Sequence, residues 1–223
     1  MEDGKVMINI LYEDNHLLVV EKPVNILVQA DNTGDKDLLT LLKEDLKKRY
    51  NKPGNVYLGL VHRLDRPVGG IMVFAKTSKC ASRLSEQVRK NQFKKVYHAV
   101  VCGDITESGE LVDKLYKDEK TNMVTVDDRG KLSKLRYEKI DSKDNLSLVK
   151  IFLETGRSHQ IRVQFSSRNY PLYGDQRYNK KAIVGEQIAL FASELTIFHP
   201  ISNEEMTFKL ELPSSYPWNL FKN

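Results

Sequence analysis

One acid stands out for its setting. Asp65 lies in Val61-His62-Arg63-Leu64-Asp65-Arg66-Pro67, with an arginine on either side. Pro67 and Gly69-Gly70 then signal a turn. The run Ile71-Met72-Val73-Phe74-Ala75 follows and reads as a buried strand. An acid on a loop that a rigid strand positions is a common setting for chemistry. The plain alternative is a surface ion pair between Asp65 and Arg63 or Arg66. No second carboxylate stands in a comparable motif, which counts against hydrolysis of glycosides by an acid pair. His62, His159 and His199 are scattered in sequence, and there is no P-loop, dinucleotide-binding glycine pattern or His/Cys cluster. A metal and a nucleotide cofactor are therefore not expected.

The elements that must position Asp65 can be read in order. Residues 7–12 and 17–21 are apolar runs separated by Glu13-Asp14-Asn15, which predicts a hairpin. Lys22-Pro23 ends its second strand. Two readings stand for Lys22, a solvated lysine on an edge strand or a functional one. Residues 37–50 place Leu38, Leu39, Leu42 and Leu46 on one helical face, with Asp37 or Asp35 as cap and Gly54 marking the exit. Lys43, Lys47, Lys48 and Arg49 form its solvated face, with nucleic-acid contact as the alternative. Ser78 is read as the cap of a second helix carrying Ala81, Leu84 and Val88. Its basic end, Arg89, Lys90, Lys94 and Lys95 around Phe93, suits the helix dipole as well as a phosphate.

Residues 95–103 form a β-branched run that predicts a strand containing Tyr97. Residues 122–126 and 132–140 predict strands around the turn Asp127-Asp128-Arg129-Gly130. Lys131, Lys134 and Arg136 there read as a solvated sheet edge. A strand over 146–154 leads into a helix with Ile161 and Phe165 four apart, capped by Thr155 or Ser158. Residues 188–198 and 206–212 predict two closing strands.

The bulk properties fit a soluble chain. The 223 residues suffice for one large domain or two small ones. Hydrophobic content is 40% and charged content 29%. A net charge of +5 and a pI near 9.0 permit a polyanionic partner without requiring one. Cys80 and Cys102 lack metal or redox spacing and suit a reducing compartment. The start, Met1-Glu2-Asp3-Gly4, lacks a signal-peptide pattern, and no apolar run is long enough to span a membrane. An intracellular, cytoplasmic location is expected.

Five ordered blocks resemble the RluA-type RNA pseudouridine synthases. They are Leu18-Val19-Val20-Glu21-Lys22-Pro23, with Asn25 where the family has glycine; His62-Arg63-Leu64-Asp65 with its strand; and Lys95-Val96-Tyr97-His98-Ala99. Then come Thr155-Gly156-Arg157-Ser158-His159-Gln160-Ile161-Arg162, with Pro171-Leu172-Tyr173-Gly174-Asp175 and Tyr178, and the ending through His199-Pro200, with Phe191 in place of histidine. The resemblance spans residues 10–213 or so and implies a single catalytic domain over 1–223. The first block begins within a dozen residues of Met1, so no preceding S4 module is expected.

The fold so implied is α+β, a large mixed and mainly antiparallel sheet with flanking helices and a central catalytic cleft. The activity so implied is isomerisation of uridine in ribosomal RNA or tRNA, breaking C1′–N1 and rejoining at C5, without cofactor or metal. Asp65 is then the catalytic carboxylate, as nucleophile or as base. Arg162 keeps it ionised, since a guanidinium opposes the effect of burial. Tyr97 is the platform under the uracil. Arg63 enters the space the base leaves, while His62, Arg157 and Gln160 touch RNA or support the loop. A stem-loop partner and a monomer are expected. The competing readings are a non-catalytic RNA binder on this fold and a nucleoside or glycoside hydrolase.

Overall fold

A computed structural model describes residues 7–222. The reading of Met1-Glu2-Asp3-Gly4 lies outside the described residues. The chain forms two compact units, one running to Phe93 and resuming over Leu195–Lys209, the other comprising Lys94–Glu194 and the segment from Leu210.

The first unit opens with the expected hairpin, β1 (Asn9–Glu13) and β2 (Leu17–Lys22), paired antiparallel. Asp14 fixes its turn, because one carboxylate oxygen accepts the N–H groups of His16 and Leu17 at 2.6 and 2.7 Å. Helix α1 (Leu38–Arg49) buries Leu38, Leu42 and Leu46, and Asp37 caps it by accepting the Thr40 N–H. It ends at Tyr50, with Asn51 at φ 46°, so the exit comes before Gly54. After the short β3 (Gly59–Leu60), every residue of β4 (Gly69–Ala75) is buried. β4 pairs antiparallel with β2 and with β3. Helix α2 (Ser78–Arg89) packs on β4. Its cap is Thr77, whose hydroxyl accepts the Cys80 N–H, rather than Ser78.

The second unit is built on β5 (Lys94–Cys102), β6 (Ser108–Asp118), β7 (Met123–Val126), β8 (Lys131–Lys143) and β9 (Leu146–Leu153). Their spatial order is β5-β9-β8-β6-β7, antiparallel throughout. Helix α3 (Gln160–Ser166) packs on β6 and β7. Neither Thr155 nor Ser158 caps it; His159 does so in a left-handed conformation, φ 51°, without a side-chain bond. Phe191 joins Val100, Leu148 and Trp218 in a buried cluster, so the family's histidine position is apolar packing here. Strand β10 (Leu190–Phe198) contributes its start to this unit and its end to the first, where β11 (Glu205–Lys209) pairs with it. Strands outweigh the three α-helices among the described residues, and the fold is α+β. Both cysteines are free thiols.

Candidate active site

The Asp65 loop is held at both ends by side chains that bind backbone. At its start, the Nε2 of His62 accepts the Val73 N–H of β4 at 3.0 Å. That nitrogen is therefore unprotonated in the neutral ring. The ring also meets Phe93 edge-on, with centroids 5.7 Å apart. In the middle, Leu64 is buried, and the Val68 N–H donates to the Asp65 carbonyl at 3.0 Å, closing the turn that Pro67 introduces.

At the far end, Lys22 is 0% exposed. Its Nζ donates to the carbonyls of Pro23, Arg66 and Val68 at 3.0, 3.0 and 2.7 Å. Three acceptors match the three protons of an ammonium. Burial pushes Lys22 down to about 7, against the attraction of Asp65, and Arg66 adds to the lowering. The solvated-lysine reading is thus corrected. The register explains the burial, because Lys22 stands opposite Gly70, whose φ of 127° favours glycine. Asn25 adopts φ 63°, the left-handed turn that asparagine tolerates.

The two arginines beside Asp65 differ. Arg66 binds Asp35 at 2.7 Å and the Asn25 carbonyl at 3.4 Å. Its pair with Asp35 is about half exposed and worth roughly 0–1 kcal/mol. Arg63 is exposed. Asp65 itself is half-buried.

The second unit carries Tyr97, Arg157, Gln160 and Arg162. Tyr97 lies on β5 opposite Ile151 and is 8% exposed. Arg162 is buried on α3, and its fork meets Asp175 in a bidentate pair, Nε to Oδ2 at 2.9 Å and Nη2 to Oδ1 at 2.7 Å. Asp175, also buried, accepts the N–H groups of Arg177 and Tyr178 as well. The guanidinium carbon stands 5.2 Å from the Tyr178 ring centroid. The Tyr178 hydroxyl accepts the Val124 N–H and meets His159 Nδ1 at 2.6 Å.

Gln160 is buried and engaged at both ends of its amide. Its oxygen accepts the Thr155 hydroxyl and the Arg157 N–H, and its nitrogen donates to the Lys134 carbonyl and Gln164. Supporting the Thr155–Arg157 turn is its visible work. Arg157 is exposed and donates through Nε to the Leu132 carbonyl at 3.2 Å. Sequence reasoning did not assign Asp175 a role and left that of Lys22 open between two readings. The Gly-Asp-x-x-Tyr block and the Lys-Pro pair were the available signals. Among the described residues, no group of three or more His, Cys, Asp or Glu could hold a metal, and no helix is long and apolar enough to cross a membrane.

Comparisons with known proteins converge on one family. The family model described as RNA pseudouridylate synthase matches residues 16–167. The ribosomal large subunit pseudouridine synthase D of Zymomonas mobilis is 34% identical, over 95% of this chain and 71% of that protein. The ribosomal large subunit pseudouridine synthase C of Buchnera aphidicola is 32% identical, over 91% of this chain and 67% of that protein. The solved structure of human RNA pseudouridylate synthase domain containing 4 has the same fold, with a TM-score of 0.76 at 23% identity over 92% of this chain and 88% of that one. The match covers the Asp65 loop, the Tyr97 strand and α3, and the chain belongs to the RNA pseudouridine synthase family of isomerases.

Proposed function

We propose that this isomerase converts uridine to pseudouridine in ribosomal RNA, with Asp65 as the catalytic carboxylate. The observation that carries the reading is the anchoring of the Asp65 loop by Lys22 and His62. Such anchoring fixes a side chain within the tolerance that catalysis demands. The relatives named for the large ribosomal subunit support the choice of RNA and a cytoplasmic site of action.

In this reading Asp65 acts on the sugar of an extruded uridine, as nucleophile or as base. Tyr97 supplies an aromatic face for the uracil, and base stacking of that kind contributes roughly 1–3 kcal/mol. Arg162, pre-oriented by Asp175, supplies positive charge that favours the ionised carboxylate. Arg63 is exposed beside Asp65 and fills the place the base vacates. The isomerisation consumes no water and transfers no electrons. A single polypeptide chain with one RNA is sufficient for it.

The test is tritium release from a large-subunit rRNA transcript labelled at uridine C5. The protein should release tritium with the RNA chain intact, and Asp65→Asn should bind but release none. Free uracil would identify a hydrolase, and binding without release by the unaltered protein would identify a binder. Normal release by Asp65→Asn would remove Asp65 from the chemistry.

A further inference from the structure

The second unit contains a lysine that has no carboxylate partner among the described residues. Lys95 is the second residue of β5, two before Tyr97. Side chains two apart on a strand leave the same face, about 7 Å from one another. Across the ladder Lys95 faces Leu153, and Leu153 faces Leu135, two side chains without charge. Its Nζ reaches over the Thr155–Arg157 turn, where a Cβ added to Gly156 would come within 3.0 Å of it. Glycine there keeps the turn open to the amine.

Three lysines on the neighbouring strands have carboxylates. Lys134 binds Glu110 and Glu154, Lys139 binds Asp104 and Glu107, and Lys150 binds Glu194. Glu154, next to the turn, is thus taken by Lys134 and lies 3.8 Å from Arg136. Among the described residues, Lys95 has neither a side-chain hydrogen bond nor a carboxylate partner. Burial alone lowers its pKa, with no acid opposing the shift. Arg157, on the same turn, is held through Nε by the Leu132 carbonyl and has no carboxylate partner among the described residues. Gln160 fixes the turn from beneath by binding Thr155 and the Arg157 N–H.

A partly buried cation with no counter-ion is unfavourable in the free protein and becomes favourable when a ligand brings the anion. We infer that Lys95 and Arg157 form a subsite for one phosphodiester of the RNA strand, flanking the nucleotide whose base meets Tyr97. This rests on the reading of Tyr97 as the base platform. Lys95 supplies a point charge, and Arg157 supplies a fork suited to two phosphate oxygens.

The test uses the full chain and the same rRNA transcript, with Lys95→Gln, Lys95→Arg and Arg157→Gln, each checked by thermal melting. Binding is followed against salt concentration, a measurement that does not require turnover. Lys95→Gln should lower the slope of log affinity against log salt by about 0.7–0.9, the share of one phosphate. It should raise KM roughly tenfold and change kcat no more than about twofold, as expected for a phosphate contact. Lys95→Arg should restore most of the affinity. Arg157→Gln, altered at an exposed position, should lower the slope alone if Lys95→Gln proves unfolded. Unchanged slopes in folded Lys95→Gln and Arg157→Gln would overturn the subsite. So would a loss confined to kcat. Failure of the unaltered protein to release tritium would instead count against the proposed function, while the salt slopes would still decide the subsite.

Discussion

Two segments carry the proposed chemistry, and they are immobilised in opposite ways. Around Asp65, side chains hold backbone, with Lys22 binding three carbonyls and His62 binding one strand N–H. On α3, a side chain holds a side chain, with Asp175 binding the Arg162 guanidinium directly. The first arrangement fixes where an acid is presented by binding the backbone on either side of it. The second fixes the direction of a cation and sustains its charge in a buried place. A loop tied by its carbonyls should fail by loosening, whereas a buried cation deprived of its carboxylate should fail by unfolding.

The largest effect should come from Asp175→Asn. Breaking the buried bidentate pair should cost about 3–5 kcal/mol of stability, read as a lower urea midpoint with the slope unchanged. A loss below about 1 kcal/mol would erase the contrast, since the pair would then behave like a surface bridge. Lys22→Met keeps the apolar stem and removes all three donors. Leaving buried carbonyls unsatisfied costs about 1–3 kcal/mol, partly offset because no charge need be buried. Turnover in single-turnover assays should therefore fall by more than the stability loss alone implies. Equal, small losses in both would mean that Lys22 serves only packing.

The third prediction concerns Asp14, which mirrors Lys22 by binding backbone donors instead of acceptors. Burial would raise its pKa, but the N–H groups of His16 and Leu17, with His199 and Tyr12, outweigh that and bring it to about 2. A depressed acid stabilises the fold above its unfolded pKa near 3.8, and the contribution is lost as pH falls through about 2. The shift corresponds to about 2 kcal/mol. Asp14→Asn should lower stability at pH 7 by about that amount and flatten the acid limb of stability against pH. An unaltered acid limb would assign it to other carboxylates.

The elements legible in the sequence were those with an uninterrupted apolar signature. β4 and α1 are examples, since Ile71 to Ala75 and the Leu38, Leu42 and Leu46 face need no context. β6 was not anticipated, because Ser108–Asp118 mixes charges with exposed Val112 and buries only Leu111 and Leu115. Its strand character comes from pairing with β7 and β8. The cap of α3 was misread for a similar reason. Thr155 and Ser158 are good capping types, yet Thr155 is engaged by Gln160 and the turn passes through His159 at positive φ. In the site, Asp65 and its loop were readable from local pattern. The burial of Lys22 was not, because it depends on carbonyls 44 and 46 residues away.

The chain order of the two units sets a schedule for synthesis. The stretch bearing Asp65 emerges early, but its unit also needs Leu195–Lys209, which follows about a hundred residues after Phe93. At about 5–20 residues per second, that is a wait of roughly 5–20 s. A nascent chain stopped short of Leu195 would display Asp65 on an unfinished scaffold. The first unit is thus completed late, with the return of the last strands rather than with the emergence of Asp65.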